Sequence, residues 1–188
     1  MMYRALLSLL LVLGLLPSAA QNPSIAPLER AFADGASSTV MAQLSRLLDD
    51  PRLSTNVRFE ACMLMAECHY QRFDLEHFTA WTDSADALLT RRPSDEERWA
   101  RVEMNRCRYA HASFIPEMAH AWGMSALKRL HQAPDRSTWK SAYLIHQTMG
   151  SMYRNWPGGA ASMFAHFDTA LVLLARRKDV LPYWKAML

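Results

Sequence analysis

The side chains of this chain that could do chemistry are three cysteines, seven histidines and twelve methionines, spread over 188 residues. The cysteines are Cys62, Cys68 and Cys107. An odd count leaves at least one thiol unpaired within the chain. Cys62 and Cys68 stand six apart on one expected helix, about 9 Å along its axis, which is too far for a bridge. Cys107 falls 39 residues after Cys68, near its level on the matching helix of a 41-residue repeat, so a Cys68–Cys107 disulfide is the candidate bridge, while small buried core thiols are the favoured reading. Cys62-x5-Cys68-His69 lacks the two-residue spacing of covalent haem attachment. Glu117-x-x-His120 is a single copy of a motif that a di-metal bundle needs twice, with two further glutamates. Met63 with Met65 and Met149 with Met152 read as packing rather than copper ligands, because methionine fills gaps between helices. The sequence holds no H-E-x-x-H, paired C-x-x-C, G-x-S-x-G, Walker loop or G-x-G-x-x-G. The expectation is no catalytic activity, no cofactor and no metal, with a metal-binding helical protein as the least favoured alternative.

One polar stripe could contact a ligand. Ser94, Arg98, Arg101, Asn105 and Arg108 follow a 4-3-4-3 spacing, which places them on one face of a helix. The same arginines have a structural reading. Forty-one residues earlier stand Glu60 and Glu67, so Glu60–Arg101 and Glu67–Arg108 could join adjacent helices as ion pairs. Both readings stay open at this level.

The elements that must position these side chains come from composition and repetition. Hydrophobic residues make up 51% of the chain, charged residues 21%, and glycine occurs six times. A packed helical core is expected rather than disorder or sheet. The first twenty residues form an export signal: Arg4, then an apolar run from Ala5 to Leu16, then Pro17 and the small residues Ser18, Ala19 and Ala20. Twelve apolar residues are short for a membrane span, so the mature chain is expected to have no span and to be periplasmic or extracellular. Removing Arg4 lowers the formal charge of +3 to near +2, with no basic cluster to argue for nucleic acid.

A shift of 41 residues lays Phe73–Ser94 over Phe114–Asp135 with eight identities in 22 pairs: Phe73/Phe114, Glu76/Glu117, Ala80/Ala121, Trp81/Trp122, Ser84/Ser125, Ala85/Ala126, Leu89/Leu130 and Pro93/Pro134. The register extends back to Phe32, Leu47 and Leu48, and forward to Trp156 and, after Pro157-Gly158-Gly159, to Ala170, Leu171 and Leu174. Each unit reads as two helices. Ser94 and Glu97 stand in capping-box spacing, Pro134-Asp135 starts the matching helix one unit on, and Asp74, Pro116 and Gly158-Gly159 start second helices. Helices are expected near 37–49, 55–72, 74–91, 95–113, 115–132, 136–154 and 160–177, with a short piece at 181–187.

With Ala85, Ala126 and Ala170 as the small residue of each second helix, Trp81 and Trp122 beside it, and Pro93 and Pro134 before the next unit, the chain resembles the tetratricopeptide-repeat group of helical solenoids from Phe32 to Asp179. Its units run to 41–44 residues instead of 34, and the usual glycine of the first helix is missing. The resemblance implies an all-α fold of antiparallel helix pairs stacked as an α-α superhelix. It also implies a concave peptide- or protein-binding groove lined by first helices, where Arg101 and Asn105 would form a basic-plus-amide pair for a peptide carboxylate. The expected organisation is a signal at 1–20, a lead-in at 21–36, a repeat domain at 37–179 and a capping segment at 180–188. The apolar tail (Leu181, Tyr183, Trp184, Met187, Leu188) either caps the array or offers a self-association surface. It also motivates the alternative of a sensory or structural portion of a larger receptor-like protein.

Overall fold

The computed structural model of the protein describes residues 24–90, 95–133 and 139–175. The expected signal at 1–20, Ser94, Pro134-Asp135 and the C-terminal tail lie outside them. The described residues form eight α-helices and no strand: α1 (Ala26–Ala33), α2 (Ser37–Leu48), α3 (Thr55–Gln71), α4 (Leu75–Leu89), α5 (Glu96–Ala112), α6 (Pro116–Gln132), α7 (Trp139–Tyr153) and α8 (Ala160–Ala175). Each helix packs on its chain neighbour, and α5 also packs directly on α7. The seven helices expected between residues 37 and 177 are all present, shifted by a few residues at their ends. Among the described residues no helix is long and apolar enough to cross a membrane.

The sequence reading missed α1, which it treated as lead-in. A proline in its first turn and Glu29 near its N-terminus favour a helix. Phe32 is buried in one core cluster with Val40, Leu44 and Leu64. Eight residues are too few to hold a helix in water unaided, so this contact with α2 and α3 keeps α1 folded.

Caps set the other boundaries. Ser54 accepts a hydrogen bond from the backbone N–H of Val57, and Asp74 from that of His77. Asp95 accepts one from the N–H of Arg98 at 3.3 Å, so the cap of α5 is Asp95, one residue beyond the Ser94 expected. The turns before α4 and α6 are built alike. Phe73 and Phe114, equivalent in the repeat, both take the left-handed conformation with φ 57° and 58°. Both rings are exposed.

The two helices of each hairpin bury themselves differently. On α3 every residue from Ala61 to Ala66 is buried, so this helix is surrounded. On α4 the buried residues are Phe78, Thr82, Ala85 and Leu89, a single stripe at helical spacing. The stripe recurs as Ala119, Gly123 and Ala126 on α6. Ala85, Ala126 and Ala170 are fully buried, as the repeat requires of the small residue that lets the next helix approach. Trp81 and Trp122 pack beside them against the cores.

Candidate functional site

α1, α3, α5 and α7 surround a cavity of about 400 Å³. Its apolar lining comes from Phe32, Met63, Leu64, Met104 and Leu144, and its polar lining includes Glu29, Glu97, Arg101, Asn105, Lys140 and Ser141. Across it, Lys140 Nζ on α7 lies 3.8 Å from a Glu29 carboxylate oxygen on α1. Residues more than a hundred positions apart thus meet at its rim.

Arg101 and Asn105 from the polar stripe reach this cavity, whereas Arg98 and Arg108 do not line it. All four hold structural partners. The two Nη atoms of Arg101 donate to the two carboxylate oxygens of Glu60 at 2.9 and 2.7 Å. Burial by itself would raise the pKa of Glu60. The charge of Arg101, then that of Arg98, outweighs it and holds the carboxyl below its ordinary value. Arg98 donates to Asp95 and to Asn56, each at 3.0 Å. Arg108 donates to both carboxylate oxygens of Glu67, and its guanidinium lies over the Tyr70 ring at 3.8 Å. Asn105 donates to the Thr82 hydroxyl at 3.1 Å. The ion-pair reading of Glu60–Arg101 and Glu67–Arg108 is therefore the arrangement found. A ligand carboxylate at Arg101 and Asn105 would have to compete with Glu60 and Thr82.

Cys62, Cys68 and Cys107 are buried free thiols. Cys68 and Cys107, the candidate bridge, are not joined and belong to different core clusters, in keeping with the core-thiol reading. Cys68 packs with Val40 and Leu44 on the α2 side, and Cys107 with Ile145 and Met149 on the α7 side. Burial pushes the thiol pKa up to about 11 at Cys62 and about 12 at Cys68 and Cys107, so the reactive thiolate is suppressed at all three.

Two histidine groups escaped the sequence reading. His69, Asp74 and His77 gather at the α3–α4 turn, with each histidine Nδ1 2.9 Å from a different oxygen of Asp74. His77, then His69, draws the Asp74 pKa down to about 2. At the other end, His146 and His166 face each other with Nδ1 atoms 2.9 Å apart, and His120 Nδ1 lies 2.7 Å from the Tyr153 hydroxyl. Burial, then the charges of His166 and His131, lowers the pKa of His146 to about 4. Both groups join residues on different helices, which periodicity on a single helix does not reveal. Glu29 and Lys140 went unnoticed for the same reason. No family model, no curated protein and no solved structure matches this chain.

Proposed function

We propose that the protein is an exported, non-catalytic helical-repeat module of the tetratricopeptide type. It binds a peptide or an extended protein segment in the cavity among α1, α3, α5 and α7. The supporting observation is that cavity: first helices of successive hairpins, with α1, line a space of about 400 Å³ with apolar side chains and charged groups of both signs. This composition suits a chain with one or two apolar side chains and polar backbone, because apolar walls supply burial and a few placed polar groups fix orientation. The buried ion pairs around Glu60 and Glu67 hold the wall rigid, which reduces the ordering cost of binding.

Selection from a random peptide library on residues 21–188 tests this. Ala33, on α1 at the cavity lining, supplies the control. Peptides enriched by the wild-type protein are expected to bind an Ala33→Trp variant at least tenfold more weakly. The reading is wrong if nothing is enriched, or if the enriched peptides bind the filled variant equally well.

A further inference from the structure

The turn between α3 and α4 gathers three donor atoms that no role in peptide binding uses. His69 sits in the last turn of α3, Asp74 is the N-cap of α4, and His77 lies in its first turn. The His69 and His77 nitrogens and a carboxylate oxygen of Asp74 lie within 4.8 Å of one another. The two imidazoles stack, with centroids 4.9 Å apart and planes 15° from parallel.

The donors are held in place by the backbone. The Asp74 N–H donates to the His69 carbonyl oxygen at 3.1 Å, and the Asp74 carboxylate caps the His77 N–H at 3.3 Å. His69 is buried, so its ring has little freedom. Asp74 and His77 are more open to solvent, at 36% and 60% side-chain exposure, which leaves a path for an ion and for water as a further ligand.

The turn itself does not need this trio. One repeat later the same turn forms with Phe114 at φ 58°, and Ile115 N–H donates to the Ala110 carbonyl at 2.8 Å. The positions equivalent to His69, Asp74 and His77 there are Ala110, Ile115 and Met118. A cap and two imidazoles have thus been added, in one unit, to a turn that closes without them.

We propose that His69, Asp74 and His77 bind a late first-row divalent cation: zinc, nickel or copper(II). Two imidazole nitrogens and one carboxylate favour these metals over magnesium or calcium, which prefer all-oxygen sites. Metal bonds of about 2.0–2.1 Å in a tetrahedral site set donors roughly 3.3 Å apart. The two 2.9 Å approaches, which run to different Asp74 oxygens, open slightly, and the widest donor separation, up to 4.8 Å, closes on the ion. Each neutral ring then carries its proton on Nε2, and the ion replaces the Nδ1 hydrogen bonds to Asp74. His69-x4-Asp74-x2-His77 spans a helix break, so no spacing along a single helix reveals it.

The test titrates metal-free protein with zinc, nickel and copper(II) against a chromogenic chelator, with unfolding temperature followed in parallel. One equivalent is expected to bind and to raise the unfolding temperature. His77→Ala, an exposed position whose loss leaves the core intact, is expected to weaken binding by more than about tenfold. His146→Gln is expected to leave it unchanged. The proposal is overturned if no metal binds saturably, if His77→Ala binds as well as the wild type, or if His146→Gln abolishes binding.

Discussion

The junction of α3 with α5 and the junction of α5 with α7 occupy equivalent places in the repeat and are built from opposite chemistry. The first is charged. Glu60 and Glu67 on α3 meet Arg101 and Arg108 on α5, each pair 41 residues apart. The second is apolar. Another 41 residues on, the positions of Arg101 and Arg108 are Ala142 and Met149. Here Met104, Cys107, Ile145, Met149 and Met152 form one core with Ala119 and Ala126. Met149 fits because Gly123 on α6 leaves room: a Cβ there would stand 2.0 Å from its sulfur. The repeat therefore preserves a spacing while changing what fills it. A buried ion pair can set register as well as add stability, and the 41-residue offset in both charged pairs points to that role here. The methionine junction depends instead on close packing.

The largest effect that would break this comparison is expected at Arg108. Arg108→Met copies the α7 residue into α5 but strands Glu67 in a largely buried site. It should cost about 4 kcal/mol, since breaking one partner of a buried pair leaves an uncompensated charge. Adding Glu67→Leu should recover most of that loss in denaturant unfolding. If it recovers nothing, the two junctions are not interchangeable. At the apolar junction, Met149→Ala should cost about 3 kcal/mol through the cavity it leaves, with no dependence on salt. Gly123→Ala should destabilise by about 1 kcal/mol, because the strain of overpacking against Met149 exceeds the helix propensity gained.

Acid sharpens the contrast further. His146 is equivalent to Asn105 and belongs to the apolar half. Its folded pKa of about 4 lies below the ordinary histidine value of 6.5, so the unfolded chain binds the proton more readily. Stability should be full above pH 6.5 and fall as pH drops from there toward 4. His146→Gln should flatten that slope in a pH series of unfolding midpoints, while Arg108→Met should not. The smallest effect is expected at the turns. Phe114 is exposed and left-handed, a conformation that asparagine tolerates better. Phe114→Asn should raise stability by about 0.5 kcal/mol, measurable as a shift in the denaturation midpoint.

Seven helices, their breaks at Asp74, Pro116 and Gly158-Gly159, and the buried alanines 85, 126 and 170 were legible in the sequence. Each rests on local spacing, which the chain carries whether or not it is folded. The Glu60–Arg101 and Glu67–Arg108 pairs were also readable, because a repeat of fixed length turns sequence offset into contact. Only the tertiary structure decided the rest. α1 holds its shape by burying Phe32 against α2 and α3, not by its own length. Cys68 and Cys107, close in repeat register, belong to different core clusters. The cavity and its Glu29–Lys140 rim exist because helices far apart in the chain come together, and the His69–Asp74–His77 trio exists because a turn folds one helix end onto the next. Periodicity reports what lies along one helix; what lies between helices is set by how they pack.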